Sequence, residues 1–358
     1  LGGGAAPARP GQIPQPLPTA VPRAQAVQTG PTASDHFIAW LKEDWLLKLG
    51  ALLLIIGFGW FASYAFLHNW IGPAGRIALG IIAGAGILLF GWWRMKSYTR
   101  QGGVFLVLGS TVILLTTFAA REMYYFFTPT SALVLMFLST AFVALASVKY
   151  RRPPLALASL ILAGIAPFFT NALTPDYVGL FWYLLVVIVG AIWVTALTGQ
   201  RELTTAALVL FFLYSLPHLS LYLSSNQKPA LLLFAYAFAA IFFITNILAV
   251  LKSKDTSAVT ADLVTAGGNG LLLLAWIMVV APEEWQSLII SGWMIVFLVG
   301  AFLVFQSTKR REPFFIYAGV GIAMLAAATA AELNGAALTI AYTIESALVI
   351  LLTYSLVR

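Results

Sequence analysis

The sequence predicts an all-α fold, a polytopic transmembrane helix bundle of about 12 helices with both termini in the cytoplasm (N-in/C-in). Three observations carry that expectation. The composition is 61% hydrophobic and only 9% charged, against about 25% charged residues in soluble domains, and the mean hydropathy is +0.92; a soluble protein this apolar would lack polar side chains to cover its surface. The apolar residues fall into successive runs, each close to the ~20 residues that span a ~30 Å hydrocarbon core. The basic residues alternate strictly between the connections: 17 of the 20 Lys and Arg lie on one side, as the positive-inside bias of cytoplasmic loops requires.

The elements follow in order. Residues 1–34 are rich in Pro, Ala, Gln and Gly without an apolar period, the composition of a disordered or polyproline-like linker. Residues 35–45 predict a short amphipathic interfacial helix, with Phe37, Ile38, Trp40 and Leu41 on the apolar side and Lys42, Glu43 and Asp44 in water. Residues 46–358 form the transmembrane domain, with helices predicted near 46–68, 72–94, 102–121, 130–148, 154–172, 178–198, 203–224, 229–250, 259–280, 287–306, 313–331 and 336–357. The fifth is interrupted by Pro167 and the seventh by Pro217, so kinks or partial re-entry are expected there. The chain starts with Leu1 and shows no signal peptide, which reads as a fragment of a longer protein. All connections are short, so any chemistry belongs to the helices or their ends.

The basic side carries Arg9 and Arg23; Lys42 and Lys48; Arg94, Lys96 and Arg100; Lys149, Arg151 and Arg152; Arg201; Lys252 and Lys254; Lys309, Arg310 and Arg311; and Arg358. The other side holds Arg76, Arg121 and Lys228. This pattern accounts for the net charge of +7 without nucleic acid as a partner. Trp40, Trp45, Trp70, Trp92, Trp93 and Trp285 sit where an interfacial aromatic belt is expected.

Several chemistries are excluded or unsupported. The chain has no cysteine, which removes disulfides, thiolate metal sites, iron–sulfur clusters and a cysteine nucleophile. Its three histidines, His36, His68 and His218, are far apart and form no HExxH pair, so no metal site is expected. There is no Walker loop, GxSxG or kinase signature, and the glycine patch at 84–87 follows no strand. No cofactor is expected.

Glu345 is the sharpest candidate for function. It lies about nine residues into the last helix, which at about 1.5 Å per residue is near mid-membrane. A carboxylate there is costly unless protonated, paired or wetted. At about 100° per residue, Thr339, Tyr342, Ser346 and Thr353 fall within about 120° of it, all to one side. One reading is a helix-packing seam; the other is a proton or cation relay, or a ligand-binding carboxylate. Arg76 opens the second helix in WIGPAGRIALG. It either snorkels to headgroups or meets an acid or an anionic ligand, with Glu122, Asp176 and Glu332 as candidate partners. The substrate- or ion-binding candidates are thus Glu345, Tyr342, Ser346, Arg76 and Glu122; no catalytic residue is assigned. The outer rim also gathers His68, Asn69, Arg121, Asn171, Asp176, His218, Glu332 and Asn334, residue types that suit a headgroup or polyprenyl-phosphate site. Gly80 and Gly84, Gly57 and Gly59, and the run Gly267, Gly268, Asn269, Gly270 predict close helix packing; the last has unwinding around an ion as its alternative.

Two further stretches carry a resemblance. Asp44–Leu54 (DWLLKLGALLL) and Trp70–Gly80 (WIGPAGRIALG) are similar to the entry and second-helix motifs of the domain-of-unknown-function 2339 family, predicted bacterial membrane proteins with many helices. Ala341–Leu348 (AYTIESAL) resembles a later motif of the same family, and the proline-rich lead-in fits it. Asp44 stands where Asn is usual, Lys48 for Arg, Tyr342 for Trp and Ser346 for Ala. The resemblance covers roughly 42–358 and implies a multi-helix fold in the bacterial inner membrane. It implies no activity.

Three functions fit these readings: transport or lipid and solute handling along a polar path between helices; a non-catalytic envelope scaffold or assembly subunit; and a membrane enzyme on a lipid-linked substrate, the least favoured. The lipid bilayer is the first partner, with a lipid or lipid-linked ligand and other membrane subunits as the further ones considered.

Overall fold

A computed structural model describes residues 2–3, 45–67, 72–170, 177–220, 228–252 and 259–357. Most of the expected linker and interfacial helix (1–34 and 35–45) therefore lies outside the described residues. Among those described there are twelve helices and no strand: α1 (Trp45–Leu67), α2 (Pro73–Arg94), α3 (Thr99–Glu122), α4 (Pro129–Tyr150), α5 (Pro153–Phe169), α6 (Tyr177–Thr198), α7 (Arg201–Ser220), α8 (Lys228–Lys252), α9 (Val259–Val280), α10 (Glu283–Thr308), α11 (Arg311–Glu332) and α12 (Gly335–Val357). Nine of them are long and apolar enough to cross a membrane, whereas α5 has 17 residues. The chain divides into two units, 1–50 and 51–358; the helix hairpins, the apolar cores and the cavities all belong to the second.

The helix ends have local causes. Proline stands at N1 or N2 of α2, α4 and α5, where its missing N–H costs nothing and its fixed φ suits the first turn. Thr128 caps α4 by accepting from the Ser131 backbone N–H at 3.2 Å. Arg94, Lys149 and Lys252 lie in the last turns of α2, α4 and α8, so cations meet the negative ends of those helix dipoles. Arg151 and Lys309 close α4 and α10 in the left-handed region, at φ 49° and 58°.

The expected interruption of α5 has a definite form. Pro167 lies in its last turn and removes the N–H that would have reached the Ala163 carbonyl. The Tyr183 hydroxyl of α6 donates to that carbonyl at 2.8 Å, and the Tyr214 hydroxyl of α7 donates to the Gly164 carbonyl at 2.5 Å. The neighbouring α6 thus satisfies the carbonyl that the proline frees, as a hydrocarbon environment demands. Pro217 likewise falls in the last described turn of α7.

Sequential helices pair as hairpins: α2 with α3, α4 with α5, α8 with α9, α10 with α11. The largest core brings α5 to α9 around Phe181, Phe211, Phe238 and Trp276; a second joins α8 to α11 around Phe297, Tyr317 and Met324. Outward positions remain apolar, for example Leu79, Ile82, Leu89, Phe90 and Trp93 on α2. A helix apolar on its outer as well as its inner face belongs in lipid.

Close approach sets the α2–α3 pair. Gly80, Gly84 and Gly91 of α2 face Gly102 and Gly109 of α3. A Cβ on Gly109 would stand 2.6 Å from the Leu88 backbone nitrogen, and one on Gly84 would stand 3.0 Å from the Gly109 carbonyl oxygen. Gly57 and Gly59, read as a similar patch, have nothing within 4 Å. The Gly267–Gly270 run does not unwind: α9 continues through it, and Asn269 donates to the Ala239 carbonyl of α8 at 3.0 Å.

Candidate functional site

Arg76 is positioned by the start of α2. Gly72 is the N-cap, Pro73 fixes the first turn, and the Arg76 N–H donates to the Gly72 carbonyl at 3.1 Å. The end of α3 approaches it. There the chain turns through Tyr125, at φ 53°, with the Tyr125 N–H donating to Arg121 O and the Phe126 N–H to Ala120 O. This turn sets Tyr124 so that the Arg76 guanidinium donates to its hydroxyl at 3.2 Å.

Arg76 and Tyr124 line one end of a groove of about 200 Å³ between α1, α2 and α3. The rest of the lining is almost wholly apolar. Ile55, Phe58 and Phe61 come from α1, Ile77 and Leu79 from α2, and Val112 and Leu115 from α3, with Thr111 and Thr116 as the hydroxyls. By helix register the groove runs from the Arg76 end of α2 to the middle of α3. A cation and a phenol at the end of an apolar slot complement an amphiphile with an anionic head. A second cavity, about 240 Å³ between α4, α5, α6 and the start of α7, lacks any charged lining. Its hydroxyls, Thr140 and Ser159, donate to carbonyls of their own helices.

The other expected residues lie in separate places. Glu122 is exposed and 3.6 Å from Arg121, whose guanidinium also donates to the Thr170 carbonyl. It stands two residues before Tyr124, so Arg76 and Glu122 share one end of the bundle. Glu345 is half-buried on α12 and accepts from the Thr329 hydroxyl of α11. Tyr342 donates to the Ala326 carbonyl of α11 at 3.0 Å, and Ser346 to the Thr343 carbonyl at 3.0 Å. Glu332 accepts from the Ser287 hydroxyl. His218 is buried, with Nδ1 3.2 Å from the Tyr214 carbonyl and its ring 5.1 Å from that of Phe181. His68, Asn69, Asn171 and Asp176 lie outside the described residues, as does His36. Among the described residues no three His, Asp or Glu side chains group as metal ligands.

The most extensive buried polar cluster was not anticipated. The Arg201 guanidinium at the start of α7 pairs with the Asp262 carboxylate in the first turn of α9 and donates to the Ala249 carbonyl of α8 at 3.0 Å. Asn246 of α8 donates to the Asp262 backbone carbonyl at 2.9 Å and accepts from the Tyr317 hydroxyl of α11 at 2.5 Å. Thr205 and Thr265 are hydrogen-bonded to each other at 2.9 Å beside them. Four helices are locked by donors and acceptors that satisfy one another. In sequence, Arg201 reads as a loop cation and Asp262 as a terminal acid, since 61 residues separate them. An acid in a helix's first turn level with a lone basic loop residue was the available signal.

A family model described as "Predicted membrane protein (DUF2339)" matches residues 42–357. No curated protein matches the chain, and no solved structure does.

Proposed function

The chain belongs to the DUF2339 family of predicted membrane proteins, and we propose that it handles an anionic lipid, seating part of an acyl chain in the α1–α3 groove and the phosphate against Arg76 and Tyr124. The observation that carries this is the groove itself: about 200 Å³ of largely apolar lining with a guanidinium and a phenol at one end. A guanidinium meets phosphate oxygens in a planar, bidentate geometry, and apolar lining with a few placed polar groups is the usual build of a ligand site. The proposal includes a bacterial inner membrane, with the basic turns and both termini on the cytoplasmic side. Arg76 then faces the outer leaflet. Relay of ions through Glu345 gains no such support, since Glu345 lines neither of the two cavities described above.

The test is lipid retention. The full chain, purified in mild detergent, is expected to carry anionic phospholipid enriched over the membrane's bulk composition. Arg76→Gln should lower that enrichment by the share held in the groove, and so should Ala119→Trp, since Ala119 of α3 also lines the groove and the larger side chain fills it while leaving the cation in place. Both variants are checked for an unchanged melting temperature. Wild-type protein whose bound lipid mirrors the bulk, or folded variants that retain as much, would refute the reading.

A further inference from the structure

The turn joining α2 to α3 (residues 95–98) and that joining α4 to α5 (151–152) adjoin at the end of the bundle opposite Arg76. The Arg152 guanidinium donates to the Thr99 hydroxyl, the Tyr150 hydroxyl lies 3.4 Å from the Trp92 carbonyl, and the Lys149 ammonium stands 4.7 Å from the Trp92 ring centre. Together, residues 94–101 and 149–152 contain Arg94, Lys96, Arg100, Lys149, Arg151 and Arg152 and no Asp or Glu. The only acid between 94 and 152 is Glu122, at the far end of α3. All six cations except half-buried Arg94 are exposed.

Orienting a membrane protein needs positive charge, but it does not need the charge of two distant segments held together by fixed contacts. Arg94, Lys149 and Arg152 are held there by neutral groups. Arg94 stacks 4.1 Å from the Tyr98 ring centre and donates to Gln101 at 3.3 Å, while Trp92 and Thr99 take Lys149 and Arg152. Other basic turns are balanced differently. Arg201 pairs with Asp262, and Glu312 directly follows Lys309, Arg310 and Arg311. Beside the cations, Leu89, Phe90 and Trp93 of α2 and Leu157 of α5 are exposed and apolar, a surface for acyl chains.

We infer that these two turns form a binding site for a lipid headgroup bearing two phosphates, one against each turn. Basic pockets between helices at the membrane surface recognise such headgroups through charge, and aromatic rings at that level match the interfacial depth. The site is at the opposite end of α2 from the Arg76 groove and does not depend on it.

The experiment uses the full chain in phosphatidylcholine nanodiscs doped with diphosphatidylglycerol, or with phosphatidylglycerol at equal total charge, and reads bound lipid by native mass spectrometry. Wild type should prefer the diphosphatidyl lipid. Lys96→Gln with Arg151→Gln should weaken that binding roughly tenfold or more, while Arg310→Gln with Arg311→Gln leaves it unchanged. If the double variant fails to fold, Lys96→Gln alone should show a smaller loss in the same direction. Equal binding of the two lipids at equal charge, or an equal loss from the Arg310 and Arg311 pair, would overturn the inference by reducing it to general interfacial charge. Displacement by soluble pyrophosphate at matched phosphate concentration would also overturn it, since the ligand would then not be a lipid. Arg76→Gln leaves this binding in place, so failure here is separable from failure of the groove reading.

Discussion

Side chains 16% and 7% exposed, as those of Arg201 and Asp262 are, leave little water to share an ion pair with, and that decides how it behaves when broken. Asp262→Asn strands a buried guanidinium and should cost about 3–5 kcal/mol. Replacing both partners, Arg201→Met with Asp262→Leu, should cost less than Asp262→Asn alone, because neither charge is then left buried. Reversible unfolding in mixed micelles measures both. Glu345 belongs at the other end of the range. Its hydrogen bond from Thr329 joins α11 to α12, and such bonds between membrane helices average ~0.6 kcal/mol. Thr329→Val and Glu345→Leu should each be mild, and the pair non-additive. A coupling of zero would remove the bond from the account. Residue chemistry was only partly legible in the sequence. That Glu345 lies inside the last helix, α12, follows from the apolar run alone. Its Thr329 partner, the Arg201–Asp262 pair and the Arg76 contact with Tyr124 depend on which helices become neighbours, which periodicity does not encode.

At the scale of the element, α5 shows how a proline is accommodated. Tyr183 donates to the Ala163 carbonyl that Pro167 leaves open. Tyr183→Phe should therefore cost about 1–3 kcal/mol, the penalty of an unsatisfied buried acceptor. In a Pro167→Ala background the backbone N–H returns, and the Tyr183→Phe cost should fall. An unchanged cost would mean that the hydroxyl is not substituting for the backbone. The α2–α3 hairpin gives a steric counterpart: Gly109→Leu should destabilise by about 1–3 kcal/mol through overpacking, since its Cβ would already be 2.6 Å from the Leu88 backbone. Gly57→Leu, with nothing within 4 Å, should be near neutral. The helices themselves were legible, because each must bury its backbone in hydrocarbon with about the same number of residues. Gly80 and Gly84 could be read from their spacing on one helix. Gly91, Gly102 and Gly109, which complete the seam, became meaningful only once α3 was docked. The ends were less sharp: α10 starts at Glu283 and not near 287, because a polar first turn of Glu283 and Glu284 still forms helix.

For the whole molecule, α2 and α3 link two proposed lipid contacts, the Arg76 groove at one end and the six-cation surface at the other. Their assignment to leaflets depends on all basic turns facing the cytoplasm. The absence of cysteine makes that directly measurable, since single cysteines can be placed at Arg151, Arg310 and Tyr125, the last 87% exposed in the α3–α4 turn. In intact cells a membrane-impermeant maleimide should label the cysteine at 125 and spare those at 151 and 310 until the membrane is opened. Labelling at 151 and 310 from outside, with 125 protected, would contradict the account.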